Sequence, residues 1–310
     1  MKSLTVLIPT FNEEENVSAI YKKTKSVLSN LNLNYRILFI DNASTDNTKS
    51  LITGICKRDP SVRAIFNRRN FGTHRSPLYG FLQADTDAVV IMSADFQDPP
   101  ELIENFVLEW RAGHKLVFAV KKSSKQGILI TFFRKLFYFV LTKTSDHRIT
   151  SGFYGFGLYD KSFITRIREL KSNLVFLRAM PGEFGYEPKL IYFDQPDRIR
   201  GKSKNSIFTL VDYAVFGLAE HGTAFQRIFI SLGLFICSLS IGIATAYPVL
   251  KLISWEYMPV GIAPILCSVT FLFGLNFLFL GVICGYLQIL LTMQRDWPLV
   301  VEAGRLNFEN

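Results

Sequence analysis

Residues 35–57 read YRILFIDNASTDNTKSLITGICK, in which a short apolar run, a polar turn and an amphipathic stretch follow one another. The run at 35–40 is rich in aromatic and β-branched residues and predicts a strand, whereas the stretch at 45–57 has apolar residues at helical spacing and predicts a helix. The same succession recurs along the first 120 residues. Strands are predicted at 4–8, 35–40, 62–66, 88–92 and 116–120. Helices are predicted at 13–31, 45–57, 76–84 and 100–112. This alternation predicts an α/β fold with a doubly wound, mainly parallel sheet.

Polar residues follow the predicted strands and indicate a binding site, because open α/β sheets bind ligands beyond the carboxyl ends of their strands. The polar segments are PTFNE at 9–13, DNAS at 41–44, NRRNFG at 67–72 and SADFQD at 93–98. Neither the GxGxxG fingerprint nor a P-loop is present, so a dinucleotide site or a P-loop ATPase has little support. Together, Asp41 and Asp95 suit Mg²⁺ or Mn²⁺ that holds a diphosphate. Taken singly, each aspartate is more simply explained as a cap on the next helix.

Two apolar runs without a charged residue, 228–250 and 260–291, set the last part of the chain apart. Each exceeds the roughly 20 residues that span the core of a bilayer, so we predict two transmembrane helices within 227–292 rather than buried helices of a soluble core. After residue 226 the chain carries four basic and four acidic side chains, so the whole net charge of +9 lies before the first run. The positive-inside rule then predicts an integral protein of the cytoplasmic (inner) membrane whose domain at 1–204 and tail at 293–310 are cytosolic.

Two amphipathic stretches precede the first predicted span. At 125–145, apolar and aromatic residues surround Arg134 and Lys135, and this composition predicts a helix that lies in the headgroup region of the membrane. The alternative is a core helix whose two cations reach solvent. The segment at 205–226 predicts a second, juxtamembrane amphipathic helix, and packing against the sheet domain is its alternative.

The basic charge also raises nucleic-acid binding as an alternative. We expect no nucleic-acid partner, because the chain has neither a zinc module nor an RNP-like aromatic motif, and two membrane spans explain the charge more simply. The four histidines are dispersed without metal-ligand spacing and are interpreted as structural or surface groups, with His74 as the best exception because it follows the loop that ends at Gly72. Glycines in the apolar runs would allow close helix packing, which leaves a homo-oligomer open.

The ordered loops resemble those of the family 2 glycosyltransferases, and within them the polyprenyl-phosphate glycosyltransferases similar to dolichol-phosphate mannose synthase and to bacterial polyprenyl-phosphate glucosyltransferases. The matching stretches are IPTFNEE at 8–14, DNASTDNT at 41–48, NRRNFG at 67–72, SADFQDPP at 93–100, GFGLYD at 155–160 and RIRGKSK at 198–204. The resemblance implies a GT-A-type, Rossmann-like sheet domain followed by a two-helix transmembrane hairpin. It also implies a nucleotide-sugar donor, a polyprenyl-phosphate acceptor and a divalent cation, Mg²⁺ or Mn²⁺.

The resemblance assigns roles residue by residue. Asp95 and Gln97 would hold the metal, and together with Arg198 they would form the catalytic set. The donor nucleotide would be bound by Pro9, Thr10, Asn12, Glu13, Asp41, Asn42, Ser44, Asn70, Gly72, Ser93 and Ala94. The acceptor phosphate would be bound by Lys121, Arg134, Arg198, Ser203 and Lys204.

Three positions depart from the family's pattern. The usual paired aspartates after strand two are Asp41 and Asn42 here, and the usual Asp-x-Asp after strand four begins with Ser93. The segment TSGFY at 150–154 has no acidic residue where many relatives carry a candidate base. A polyprenyl phosphate is largely a dianion near neutral pH, so a strong general base is dispensable.

The expected reaction is the inverting transfer of a single sugar to polyprenyl (undecaprenyl) phosphate at the cytosolic membrane face. UDP-glucose is the first choice of donor. Two alternatives remain: a non-catalytic membrane scaffold or flippase partner with a degenerate metal site, and a processive polysaccharide synthase. The synthase is disfavoured, because such enzymes usually have a QxxRW motif and more spans, whereas residues 195–199 read QPDRI.

Overall fold

The computed structural model describes residues 2–122, 153–170, 177–196 and 298–308, together with single helical positions between 265 and 290. The predicted amphipathic helices at 125–145 and 205–226 lie outside the described residues, and so do the first predicted span and most of the second. Within the part of the chain that is described, no helix has both the length and the hydropathy needed to cross a membrane.

The chain divides into two compact units. The first consists of Met1–Tyr138, His147–Leu210 and Asp296–Asn310, and it contains all the strands given below. The second consists of Phe139–Asp146 and Val211–Arg295. Several of the described helical positions in this second unit carry exposed apolar side chains. These are Ile265, Val269, Leu272, Ile283, Leu287 and Leu290.

The described strands form one sheet, with helices between them. The strands are β1 Ser3–Thr10, β2 Asn34–Asp41, β3 Val62–Asn67, β4 Ala88–Ile91, β5 Leu116–Lys121, β6 Phe153–Asp160, β7 Lys189–Phe193 and β8 Glu302–Leu306. The helices are α1 Val17–Ser29, α2 Thr48–Arg58, α3 Gly72–Gln83, α4 Leu102–Arg111, α5 Lys161–Glu169 and α6 Met180–Glu183. The five predicted strands and four predicted helices are all present, and their ends shift by a few residues.

Two helix starts differ from the prediction for local reasons. The helix α1 begins at Val17 rather than at residue 13, because the carbonyl of Glu13 accepts hydrogen bonds from the amides of Asn16 and Val17 and closes a turn first. The helix α3 begins at Gly72 rather than at residue 76, because the side chain of Asn70 accepts a hydrogen bond from the Gly72 amide at 2.7 Å.

The strand order in the sheet is β7-β5-β6-β4-β1-β2-β3-β8. Strands β6 and β8 run antiparallel to their neighbours, and the other pairs are parallel. The sheet is therefore mainly parallel, as predicted, but it contains three strands that were not predicted. Its antiparallel insertion, β6, lies between β4 and β5.

Both faces of the sheet are covered, as expected for a doubly wound fold. Along β1 the side chains alternate: Val6 and Ile8 pack in the cluster beneath α1, α2 and α4, whereas Leu7 packs in the cluster beneath α3 and α5. Burial on both faces explains why the parallel strands read as nearly continuous apolar runs. The polar residues that follow these strands are thereby left at the open edge of the domain.

The last strand, β8, was not predicted, and the segment at 293–310 was expected to be a tail. It pairs antiparallel with β3 at the sheet edge, with Ala64 opposite Leu306. The side-chain amide of Asn307 then donates to the carbonyl oxygens of Cys56 and Val62 at 2.8 and 2.7 Å. The C-terminal segment is therefore part of the sheet domain.

Candidate functional site

The loop after β2 holds a buried carboxylate at its start. Asp41 is 1% exposed, and its Oδ1 accepts a hydrogen bond from the Ser44 hydroxyl at 2.5 Å. Burial raises the pKa of Asp41 above its ordinary value, although the hydrogen bonds from Ser44 oppose the shift. Asp41 does not cap α2, because the amide of Thr48 bonds to Asp46 at 3.0 Å. The capping explanation of Asp41 is therefore wrong.

The loop after β1 is joined to the loop after β2 by backbone and side-chain hydrogen bonds. Asn12, which has a φ of 54°, donates its amide to the Ser44 hydroxyl at 2.8 Å. Its side-chain oxygen accepts from the Thr45 amide at 2.8 Å, and the Glu13 amide donates to the Thr48 hydroxyl at 2.8 Å. The residues Asn12, Glu13 and Ser44, predicted to bind the donor, therefore lie together at the ends of neighbouring strands.

Asn42 organises the loop at 67–72 rather than standing open to a ligand. It is 7% exposed, and its Nδ2 donates to Asn70 Oδ1 at 2.8 Å and to the carbonyl of Gly72 at 3.1 Å. Its Oδ1 accepts from the amide of Phe71 at 2.9 Å and from Asn67 Nδ2 at 3.0 Å. Both donor hydrogens and the carbonyl oxygen of this amide are thus engaged, which an aspartate in the same place would not reproduce.

The loop after β4 carries Asp95, which is 8% exposed. Its Oδ1 accepts hydrogen bonds from the Ser93 hydroxyl at 2.9 Å and from the Gln97 amide at 3.2 Å, while Phe96 between them has a φ of 62°. The helix α4 begins only at Leu102, and Glu101 is its N-cap. Asp95 is therefore not a helix cap either, and the tight turn orients its carboxylate.

A second carboxylate, Asp98, supports this loop from inside. It is 3% exposed; its Oδ2 accepts from the Ser93 amide at 2.7 Å, and its Oδ1 accepts from the hydroxyl of Tyr154 on β6. Burial, together with the nearby charge of Asp95, raises the pKa of Asp98, against the hydrogen bonds from Tyr154 and Ser93. The loop thus brings two carboxylates close enough for their charges to interact.

Lys121, at the end of β5, contacts the same cluster. Its Nζ lies 3.8 Å from the ring centroid of Tyr154, a cation–π contact. Burial and the charge of Asp98 raise the pKa of Tyr154 above its ordinary value, so its hydroxyl remains a hydrogen-bond donor. Sequence reasoning did not single out Tyr154 as a site residue. Its only sequence signal was its place at the end of TSGFY, the segment that lacks an acidic residue.

The residues at this loop fit a divalent cation that is held mainly by its substrate. Among the described residues, no group of three or more His, Cys, Asp or Glu side chains forms a metal cage. Both oxygens of Asp98 accept hydrogen bonds from protein groups, and Asp95 is the carboxylate of this loop that was predicted to hold the metal. Mg²⁺ is commonly bound by one or two carboxylates plus substrate phosphates, and the donor set has this character.

The structure brings most of the predicted site residues to one edge of the sheet. Those at the carboxyl ends of β1 to β5 are Pro9, Thr10, Asn12, Glu13, Asp41, Asn42, Ser44, Asn70, Gly72, Ser93, Ala94, Asp95, Gln97 and Lys121. Because β1 lies between β4 and β2, the loop of the predicted metal site and the loop of Asp41 flank the loop of Asn12. The predicted residues Arg134, Arg198, Ser203 and Lys204 lie outside the described residues.

Comparison with known proteins identifies the family. Residues 5–168, more than half of the chain, match the sequence model of the family described as Glycosyl transferase family 2. The chain belongs to this family. It is a glycosyltransferase, and the family predicted from the ordered loops is confirmed.

Relatives of this family 2 glycosyltransferase extend over nearly its whole length. An uncharacterized glycosyltransferase, sll0501 of Synechocystis sp., is 28% identical over 92% of this chain and 89% of that protein. The bactoprenol glucosyl transferase of Shigella phage SfV is 27% identical over 92% of each chain. The crystal structure of mannosyl-3-phosphoglycerate synthase from Rubrobacter xylanophilus has a TM-score of 0.51 at 14% identity over 75% of each chain, and this likeness supports a GT-A-like α/β fold with a mixed sheet.

Proposed function

We propose that this enzyme transfers a single sugar, glucose, from a nucleotide-sugar to polyprenyl phosphate at the cytosolic face of the membrane. The observation that carries the proposal is that Lys121 and Asp95 belong to one cluster at the sheet edge: Lys121 contacts the ring of Tyr154, and hydrogen bonds lead from Tyr154 through Asp98 and Ser93 to Asp95. A cation suited to a phosphate and a carboxylate suited to a metal are the two groups that such a transfer needs. The relative named bactoprenol glucosyl transferase supports the choice of acceptor and of sugar.

Different described residues would have different roles in this reaction. The loops of Asn12 and Asp41 would bind the nucleoside of the donor, and Asp95 would hold Mg²⁺ or Mn²⁺. When bound, the metal supplies positive charge that stabilises the departing nucleotide diphosphate. Lys121 would bind an oxygen of the acceptor phosphate and orient it toward the sugar. Gln97 contributes its backbone amide to the orientation of Asp95.

The chemical step would be one in-line displacement. An oxygen of the acceptor phosphate, already deprotonated near neutral pH, attacks the anomeric carbon while the bond to the nucleotide diphosphate breaks. The configuration at that carbon is inverted. No base has to remove a proton, which is consistent with a hydroxyl at Tyr154 that keeps its proton.

We further propose that the two apolar runs form a transmembrane hairpin, preceded by interfacial helices at 125–145 and 205–226. The runs at 228–250 and 260–291 carry no charge. The strand β8 follows both runs along the chain and nevertheless pairs with β3 in the same sheet. The chain must therefore cross the membrane an even number of times between β3 and β8, as it would with two spans. The glycines of the runs would suit a homo-oligomer, which size-exclusion chromatography with light scattering in detergent would test.

Transfer by purified full-length protein tests the proposal. Radiolabelled UDP-glucose, UDP-N-acetylglucosamine and GDP-mannose are each offered with Mg²⁺ or Mn²⁺ to undecaprenyl phosphate. We expect a lipid-linked sugar from UDP-glucose, a large loss of turnover in Asp95→Asn, and near wild-type turnover in Asp85→Asn. Asp85 is the matched control, because it is exposed and lies before β4, at the opposite end of the strand from Asp95.

Other outcomes would contradict parts of this proposal. A polymeric product would indicate a processive synthase. No turnover with any donor by folded protein would indicate a scaffold or flippase partner. Equal turnover of Asp95→Asn and Asp85→Asn would remove the metal assignment.

A further inference from the structure

Tyr154 contacts two groups of different charge with two parts of its side chain. Its ring faces the Nζ of Lys121, 3.8 Å from the centroid, and its hydroxyl donates to Oδ1 of Asp98. Val120 pairs with Phe153 in the adjacent strands β5 and β6. Lys121 and Tyr154, the next residues along these strands, are therefore close to each other. Tyr154 is partly buried, and its hydroxyl contacts a carboxylate, Asp98, that is 3% exposed.

Hydrogen bonds link the Tyr154 hydroxyl through Asp98 and Ser93 to Asp95. The other oxygen of Asp98 accepts from the amide of Ser93 at 2.7 Å, and the hydroxyl of Ser93 donates to Asp95 at 2.9 Å. Two hydrogen bonds on opposite oxygens hold the Asp98 carboxylate in one orientation. A change at the Tyr154 hydroxyl therefore reaches the carboxylate of Asp95 through only two residues.

The contact at the ring acts on Lys121. A lysine side chain has a flexible stem, and an aromatic face restricts where its ammonium group lies. Ring and hydroxyl are chemically separable, because phenylalanine keeps the ring and lacks the hydroxyl, whereas leucine lacks both.

We propose that Tyr154 is a positioning residue with two separable effects: its ring places Lys121 for the acceptor phosphate, and its hydroxyl places the Asp95 loop for the donor diphosphate and its metal. This inference rests on the proposed function of the site. It assigns to Tyr154 a separate effect on each of the two substrate sites, without contact with either substrate.

The test compares Tyr154→Phe with Tyr154→Leu in full-length protein in detergent. Titration calorimetry measures the dissociation constant of UDP with Mn²⁺, and separately that of citronellyl phosphate with UDP and Mn²⁺ present. The KM of each substrate and kcat are measured in parallel. Tyr192→Phe and Tyr192→Leu are the matched controls, because Tyr192 is 58% exposed and lies on β7, which is separated from β6 by β5.

In Tyr154→Phe we expect the dissociation constant of UDP with Mn²⁺ to rise about tenfold, as the loss of one hydrogen bond to a charged group would give, while citronellyl phosphate binds within about twofold of wild type. In Tyr154→Leu both constants should rise, and the value for citronellyl phosphate should approach that of Lys121→Met. The Tyr192 variants should match wild type.

Two results would overturn the inference. One is an equal effect of both Tyr154 variants on both constants, which would indicate a general structural role. The other is unchanged binding in Tyr154→Leu. Failure of the proposed function has a different signature, because wild-type protein would then bind UDP and Mn²⁺ but form no lipid-linked sugar, and the comparison of UDP binding would still test the hydroxyl.

Discussion

The backbone amide of Arg68 donates a hydrogen bond of 2.9 Å to the carbonyl oxygen of Val301, which binds the loop after β3 to the segment that leads into β8. The guanidinium of Arg68 adds a second bond, to the carbonyl of Glu302 at 3.2 Å, and Arg75 bonds to the carbonyl of Pro298 at 2.8 Å. The loop at 67–72, which is predicted to bind the donor, is therefore held on one side by the C-terminal segment and on the other by Asn42.

Deletion of residues 298–310 should destabilise the sheet domain and weaken donor binding. It would remove the partner strand of β3 and several hydrogen bonds of about 1 kcal/mol each, so we expect Tm to fall by roughly 5–10 °C and the KM of the nucleotide-sugar to rise. Thermal unfolding and initial rates measure both effects. Removal of only 309–310 is the control. If the longer deletion leaves the KM of the donor unchanged, the C-terminal segment does not position the loop.

The substitution Asn42→Asp should lower stability, although aspartate is the usual residue at this place in the family. A carboxylate oxygen would replace the Nδ2 that donates to Asn70 Oδ1 and to the Gly72 carbonyl. Rotation of the Asn70 amide would not help, because its oxygen also accepts from the Gly72 amide. The side chain at position 42 is 7% exposed, so an aspartate there would lose both donated hydrogen bonds and place a buried charge beside two acceptors, which costs about 1–3 kcal/mol.

Urea unfolding of Asn42→Asp, with the exposed Asn47→Asp as the control, measures this cost. We expect a lower midpoint and a higher KM for the donor in Asn42→Asp alone. Tighter donor binding at undiminished stability would mean that the family's aspartate is tolerated and that Asn42 is not a structural residue.

Two glycine substitutions should change stability in opposite directions. A Cβ at Gly157 on β6 would lie 2.6 Å from the backbone oxygen of Val117 and 3.2 Å from the Cα of Phe118, so Gly157→Ala should cost about 1–3 kcal/mol. At Gly54 in α2 a Cβ would meet open space, and Gly54→Ala should add about 0.5–1 kcal/mol through helix propensity. Denaturant midpoints of the two variants test both signs. A midpoint of Gly157→Ala equal to that of wild type would show that β6 moves aside without cost.

Stability should depend on pH through His74. Burial, with a smaller effect from the charge of Arg178, lowers the pKa of His74 to about 4. In the unfolded chain the His74 side chain takes up a proton below pH 6.5, whereas in the folded protein it stays neutral down to about pH 4. Stability therefore falls as the pH falls between these values. The loss attributable to His74 is at most about 3 kcal/mol.

The comparison of wild type with His74→Gln isolates this contribution, because the acidic groups titrate in both proteins. The free energy of unfolding of wild type minus that of His74→Gln should decrease as the pH falls from 6.5 to 4. A constant difference over that range would mean that His74 is protonated equally in the folded and unfolded states.

The sequence by itself determined the strands β1 to β5, the helices between them and the edge at which the site lies. These features follow from hydrophobic periodicity and from the order of the strands, which are local and can be counted along the chain. The loops that carry Asn12, Asp41 and Asp95 were predictable for the same reason. The family followed from the same ordered loops.

Only the tertiary structure decided what depends on partners distant in the chain. The strand β8 is short and polar, and it is a strand because β3 offers it an unpaired edge. The strand β6 contains Gly155 and Gly157 and lies between β4 and β5, where a side chain at Gly157 would clash. The roles of Asn42 and Tyr154 were likewise hidden, because a hydrogen bond or a cation–π contact is set by three-dimensional distance, which no spacing along the chain records.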